Sequence, residues 1–188
     1  MRDAARSFPT GSAPGPNGLR SAHLKDCLGH AGAASALEGA LVTFVRKAAE
    51  GLLAPALRRV LCASSLVPLQ KKDGGIRPVA VGDTMRRVVG KFLLRTGIVR
   101  EQVATLRPRQ CGVGVPFAAE HVGMGMCGLV HGVDVREAPW VALQVDMRNA
   151  FNCVDRTAML TVALTKTPAA YSWLAWCYAE AAPLLCQG

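Results

Sequence analysis

The sequence predicts an α+β fold, rich in helix with one β-hairpin, and three observations predict it. Apolar residues recur at helical spacing in several stretches, most clearly Leu37, Leu41, Phe44, Val45 and Ala48. The period then changes to two extended runs on either side of Lys71-Lys72-Asp73-Gly74-Gly75, and apolar runs flanking an Asp-Gly turn signal a hairpin. With 51% apolar and 19% charged residues, the 188-residue chain carries enough apolar side chain for a packed core and is not a disordered tail.

The elements follow in order. Ser12-Ala13-Pro14-Gly15-Pro16-Asn17-Gly18-Leu19 gathers turn formers that suit neither a helix nor a central strand, and Asn17-Gly18 favours a tight turn. Ser21 is expected to cap a short helix ending near Gly29. A longer helix is expected over 33–50, with Gly51 as the residue that ends it. Residues 53–62 read as another helix, with Arg58 and Arg59 adjacent on it. Residues 65–69 and 76–81 are extended. Thr84 is expected to cap a long helix running to about Leu106, stopped by Pro108. Its apolar positions 85, 88, 89, 92, 93 and 99 leave Arg86, Arg87, Lys91 and Arg95 outside. Residues 110–115 form a glycine-spaced loop, and 117–130 a helix weakened by Gly123, Gly125 and Gly128. Residues 140–145 suit a buried strand ending at Asp146. After a turn through Asn152, helices are expected over about 155–165 and 168–181. There is no internal repeat and no low-complexity tract.

Composition excludes several classes. The seven cysteines are odd in number and show no Cys-x-x-Cys spacing, so they read as reduced thiols, mostly buried as small apolar groups. That argues against a secreted disulfide scaffold or structural zinc and for an intracellular, nuclear or cytoplasmic, location. The N-terminal residues carry Arg2, Asp3 and Arg6 and lack the apolar stretch of a signal peptide. Lys166 and Pro168 interrupt the longest nearly uncharged segment, so no membrane span is expected. The 22 basic and 13 acidic residues give a net charge of +9. They are unevenly placed: residues 1–100 hold 16 Lys/Arg against 6 Asp/Glu, a net of +10, and residues 101–188 hold 6 against 7, a net of −1. Such a first half either meets a polyanion or is solvated surface.

Two features could carry chemistry. Asp146, just past an apolar run and before a turn, stands where a strand end could hold a metal ligand rigidly, although an aspartate in such a place more often forms a turn or caps a helix. The turn Lys71-Lys72-Asp73-Gly74-Gly75, followed by Ile76-Arg77-Pro78, sets three cations on a short ribbon. Arg gives bidentate, charge-assisted bonds and Lys a mobile point charge, which suits a triphosphate; a solvated surface turn is the bland alternative. Other chemistries lack their signatures. There is no phosphate-binding Gly-x-x-x-x-Gly-Lys-Ser/Thr loop, Gly112-Val113-Gly114 lacks a third glycine, the four histidines form no His-x-x-x-His pair, and no Gly-x-Ser-x-Gly elbow is present.

Four blocks appear in succession: the Ser12–Leu19 turn segment; Val67-Pro68-Leu69-Gln70 running through the turn to Ile76-Arg77-Pro78-Val79-Ala80-Val81-Gly82; Gln110-Cys111-Gly112-Val113-Gly114-Val115; and Val145-Asp146-Met147-Arg148-Asn149-Ala150-Phe151-Asn152. In this order and spacing they resemble the fingers and first palm motifs of reverse transcriptases, above all those of non-LTR retrotransposons. The resemblance implies a right-hand polymerase architecture: fingers over residues 1–85, with 1–18 a flexible turn segment, and a partial palm with an incomplete sheet over 86–188. Asp146 is similar to the first-motif aspartate that binds both catalytic Mg²⁺ ions, with the carbonyl of Met147 as a further ligand. Phe151 resembles the aromatic gate that excludes a 2′-hydroxyl and selects dNTPs. Arg77 is similar to the fingers arginine over the incoming triphosphate, with Lys71, or Lys72, as its lysine partner. Arg86, Arg87 and Lys91 would face the backbone of RNA template or DNA primer. The 110–114 loop resembles a block shared with group II intron enzymes and has no assigned chemistry.

Two-metal nucleotidyl transfer needs carboxylates from separate strands. In this family they lie in a later Tyr-x-Asp-Asp-like hairpin, and this sequence contains no Asp-Asp pair. The expectation is therefore RNA-directed DNA polymerisation by the family and an inactive chain here, whose natural packing partner is the remaining palm and the thumb. A palm strand over 140–145 would then lack neighbours, and low solubility is expected. The alternative is a non-catalytic, basic nucleic-acid-binding remnant.

Overall fold

Helices form where the apolar spacing requires them. The computed structural model describes residues 2–30, 32, 34–107, 115–132, 143, 145–147 and 152–186. Ahead of the hairpin run α1 (Arg2–Arg6), α2 (Ser21–Gly29) and α3 (Ala34–Ala49). On α3, Leu41, Val45 and Ala48 form the buried stripe that the periodicity predicts. Its end is a Schellman motif. Gly51, at φ +75°, donates its N–H to the Ala48 carbonyl at 3.0 Å, and Leu52 donates to Lys47 at 2.8 Å.

Several boundaries differ from expectation. On α2 the flanking residue is Arg20, in extended backbone, and Ser21 is the first helical residue. The Arg20 N–H donates to His23 Nδ1 at 3.4 Å, and Ser21, inside the helix, does not cap it. Residues 53–62 form no single helix, because Pro55 cannot donate an N–H. A 3₁₀ turn at Pro55–Leu57 leads instead into the one-turn helix α4 (Arg58–Leu61). The helix expected over 84–106 is two helices, α5 (Thr84–Leu93) and α6 (Gly97–Ala104). At the break, the Thr96 hydroxyl and N–H both bond the Leu93 carbonyl, at 2.7 and 3.0 Å, and Arg95 N–H bonds Phe92 at 2.9 Å. These tight local bonds take carbonyls that a continuous helix would use one residue later. The cap of α5 is Asp83, whose Oδ1 accepts from Met85 N–H at 2.7 Å and Arg86 N–H at 3.3 Å. Thr84 is buried and donates its hydroxyl to the Leu19 carbonyl.

The hairpin forms as predicted. Strands β1 (Ser64–Gln70) and β2 (Ile76–Gly82) pair antiparallel, Ser64 opposite Gly82 and Gln70 opposite Ile76. In the turn, Lys71 N–H donates to Gly75 at 2.7 Å, Gly74 N–H to Lys71 at 3.1 Å, and Gly75 N–H to Asp73 Oδ1 at 3.1 Å. Gly74 sits at φ +80°, where glycine alone is unstrained. Antiparallel pairs alternate in hydrogen bonding, so the Lys71–Gly75 bond puts the facing Pro68 and Pro78 on a non-bonded pair. Neither missing N–H removes a rung.

A third strand, β3 (Leu184–Cys186), pairs parallel to β1 and gives the order β2-β1-β3. Three residues are too few to show alternation, so the sequence predicts no element over 184–186. Past α6 come α7 (Ala118–Gly132), α8 (Arg156–Lys166) and α9 (Pro168–Tyr178). Asp155 caps α8 through Oδ1 to Ala158 N–H at 2.8 Å, and Pro168 opens α9. The helix predicted to 181 ends at Tyr178. Of the strand expected over 140–145, Leu143 and Val145 are exposed and lie in no strand, and the other positions lie outside the described residues.

One core holds Phe8, Leu24, Val45, Leu53, Leu61, Val88, Val89, Leu93 and Trp173, together with Cys62 and Cys177. Trp173 stacks on Trp176 with centroids 5.4 Å apart, and Trp176 Nε1 donates to the Leu53 carbonyl at 3.2 Å. The core is continuous across position 85, which lies inside α5. The chain is α+β and helix-rich with a small mixed sheet. Among the described residues no helix is long and apolar enough to cross a membrane.

Candidate functional site

Free positive charge gathers around a hollow at the tip of the β1–β2 hairpin. Lys71, Lys72 and Arg77 are all exposed, and none of their side chains forms a hydrogen bond or ion pair with another described residue. Arg77 faces Leu69 across the ribbon, so the two share one face. Leu69, Gln70, Lys71, Lys72, Asp73 and Arg77 line an open hollow of about 430 Å³. The Asp73 carboxylate shares this rim, but its Oδ1 is held by the Gly75 N–H. Three unpaired cations around one concavity attract a polyanion, and the glycines of the turn let its backbone come close.

The cations of α5 are placed differently. Arg86, Arg87 and Lys91 are half-buried and turned onto the protein, whereas Arg95 is exposed as expected. Arg86 Nη1 donates to the Cys62 carbonyl at 3.5 Å, and its guanidinium lies 4.9 Å from the Tyr178 ring centroid. Arg87 Nη2 donates to the Ala13 carbonyl at 2.6 Å and to Thr84 Oγ1 at 3.0 Å. Arg87 and Lys91 flank the Phe8 ring at 5.4 and 4.8 Å, and Lys91 Nζ donates to the Ser7 carbonyl at 3.4 Å. Burial, with Arg95 and Arg87 nearby, pulls the Lys91 ammonium below its usual range. These contacts hold the 7–13 segment beneath α5. Helical spacing identified the cations but not the N-terminal segment that covers them.

Asp146 and Met147 are exposed in irregular backbone, and Asp146 makes no hydrogen bond or ion pair with the hairpin cations. Among the described residues no group of three or more His, Cys, Asp or Glu side chains is placed to hold a metal. Phe151 and the 110–114 loop lie outside the described residues.

A second charged cluster leaves no signature in the sequence. Four of the six described cysteines are exposed, so the thiols are not mostly buried; Cys62 and Cys177 are the two in the core. The Cys177 thiol donates to the Cys62 sulfur, and the Arg86 and Arg58 guanidiniums stand beside it. That hydrogen bond is the main reason Cys62 is lowered from 9.0 to about 7, against its burial and the Asp83 charge. The same bond and burial push Cys177 up. Arg58 is paired to Glu180 at 2.8 Å, but its Nη2 is buried without a partner. No spacing rule joins positions 62, 86 and 177, so only the packing of α4, α5 and α9 reveals the cluster.

A pH dependence follows. The folded pKa of Cys62 lies below its unfolded value, so its contribution is complete above pH 9 and lost as pH falls through 7. Cys177 has the opposite sign: its contribution is complete below its unfolded pKa and declines at higher pH. Stability is expected to rise by about 2 kcal/mol from pH 6 to 9 and to fall beyond. Urea midpoints across this range measure it. Cys62→Ser should abolish the rise, and a rise that survives this substitution contradicts the assignment.

No family model, curated protein or solved structure matches the chain.

Proposed function

We propose that the chain is the fingers and first palm region of a reverse transcriptase of the non-LTR retrotransposon type, an RNA-directed DNA polymerase. What supports the reading is the four sequence blocks in family order, and the observation that carries it is the hairpin tip, where Lys71, Lys72 and Arg77 stand free around one hollow. In this reading the hairpin draws in the dNTP triphosphate. Arg77 grips two phosphate oxygens at once, and Lys71, with Lys72, neutralises charge from the side. Phe151 selects the deoxyribose. Arg86, Arg87 and Lys91, given to template and primer backbone in the same reading, act first by holding the 7–13 segment in place.

Magnesium belongs to this proposal through the Asp146 carboxylate and the Met147 carbonyl, where it would neutralise triphosphate oxygens. That donor set falls short of the multi-carboxylate clamp that two-metal transfer uses, and the sequence holds no Asp-Asp pair. We therefore propose binding of dNTP and of RNA template on DNA primer, without nucleotide transfer by this chain alone. Primer extension on poly(rA)/oligo(dT) with magnesium is expected to give no product, and extension would overturn the inactivity. RNA/DNA hybrid should bind with an affinity that falls as salt rises, because phosphate contacts release counterions.

The net charge of +10 on residues 1–100 favours a second reading, a nucleic-acid-binding remnant without nucleotide recognition. In that case hybrid binds as stated, but dNTP does not compete for the hairpin. Asp146→Asn leaves hybrid binding unchanged under this second reading, which separates it from the polymerase reading.

A further inference from the structure

The cluster of Cys62, Cys177 and Arg86 has no part in the proposed polymerase function, and its chemistry is specific. Cys62 is 1% exposed and Cys177 2% exposed, and they come from α4's end and from α9. Buried cysteines are ordinarily inert fillers, neutral and without charged neighbours. These two differ on three counts. Both pack in one core cluster, and each thiol is the first cause of the other's shifted titration. The Arg86 guanidinium bonds the Cys62 carbonyl and lies over the ring of Tyr178, the neighbour of Cys177, and among the described residues it has no carboxylate partner. Arg58, with one buried nitrogen unpartnered among the described residues, adds a second positive charge. The groups facing the thiols are therefore Arg58 from α4, Asp83 and Arg86 at α5, and Tyr178 from α9, with Glu180 on the outer side of Arg58. A half-buried cation without a carboxylate calls for an anion, and a Cys62 thiolate is the nearest that this core provides.

We propose that Cys62 and Cys177 are an oxidative modification site, a dithiol that peroxide converts to a disulfide joining the end of α4, two residues ahead of β1, to α9. The Cys62 thiolate attacks one oxygen of hydrogen peroxide and breaks the O–O bond. Cys62 becomes a sulfenic acid, and the departing hydroxide takes up a proton to form water. The Cys177 thiol then loses its proton and its sulfur attacks the Cys62 sulfur, releasing the sulfenic oxygen as a second water. Two thiols and one peroxide give one disulfide and two waters; the sulfurs lose two electrons and the peroxide gains them. Arg86 positions the thiolate and offsets its charge. Small, uncharged peroxide suits a buried pair better than a bulky disulfide reagent does. The product ties α9, and with it β3 at Leu184–Cys186, to the strand that carries the hairpin.

The test uses the full chain, treated with hydrogen peroxide, alkylated in denaturant and digested without reductant. The expected product is one cross-linked peptide pair containing Cys62 and Cys177, two hydrogens lighter than the reduced pair. It should form while exposed Cys27, Cys127, Cys153 and Cys186 are mostly still alkylatable. The oxidised chain should melt about 10 °C higher than the reduced chain, since the bridge closes a long loop in the unfolded state. In Cys177→Ser, Cys62 should stop as a sulfenic acid trapped by dimedone. Bridges involving the exposed cysteines with Cys62 and Cys177 both free, or oxidation of Cys62 without a bridge in the unsubstituted chain, would overturn the proposal. The mapping needs no variant, so it stands even if Cys177→Ser fails to fold.

Discussion

Replacing Gly15 by alanine is expected to lower stability by about 3 kcal/mol, near the upper end of overpacking costs. An added Cβ would lie 2.6 Å from the Asp83 Cα, 2.9 Å from its N and 3.0 Å from the Gly82 carbonyl oxygen. All three atoms are backbone at the join of β2 and α5, so no side chain can swing away. The cost extends beyond one contact. The same turn segment delivers the Ala13 carbonyl to Arg87 and the Leu19 carbonyl to Thr84, and moving it disturbs both bonds. For a chain of this size the melting temperature should fall by about 6–12 °C. Gly18→Ala is the control. Gly18 has φ +75° but nothing within 4 Å of an added Cβ, so it costs only about 1 kcal/mol of backbone strain. Equal losses for the two variants would show that Gly15 is not the point where the segment seats.

The second large effect belongs to the hairpin. Lys71→Ala/Lys72→Ala/Arg77→Ala should weaken binding of an RNA/DNA hybrid about 10- to 100-fold at moderate salt. It should also reduce the slope of log affinity against log salt by about 2–3, one for each lost phosphate contact. All three side chains are exposed and unpaired, so stability should change little. Arg86→Met provides the contrast. Arg86 is half-buried over Tyr178 and against Cys62, so its loss should lower stability before it alters the salt slope. Fluorescence anisotropy over a salt series, with urea unfolding of the same samples, separates the two. An unchanged salt slope in the triple variant would place the polyanion contacts elsewhere.

Local signals were legible in the sequence and long-range ones were not. The hairpin was legible because its alternating runs and Asp-Gly turn are complete within 64–82. So was the end of α3, where Gly51 takes the left-handed conformation that ends a helix. The α5–α6 break was not, since apolar spacing continues through it and the interruption is made by the Thr96 hydroxyl. Asp83 and Thr84 are both good capping residues, and the choice between them depended on Leu19, which accepts the Thr84 hydroxyl from 65 positions away. The site divides in the same way. The free hairpin cations could be read from composition and turn chemistry. The burial of Arg86, Arg87 and Lys91 could not, because Phe8, Ala13 and Tyr178 cover them from distant parts of the chain.

The central claim is that the hairpin tip recognises a nucleoside triphosphate, and photo-crosslinking with a photoreactive dNTP tests it most directly. The account predicts an adduct concentrated in the peptide spanning residues 69–77, displaced by unlabelled dNTP and lost in the Lys71/Lys72/Arg77 alanine variant. Adducts spread over other basic segments, such as Arg46-Lys47 and Arg58-Arg59, and indifferent to competing dNTP, would contradict it.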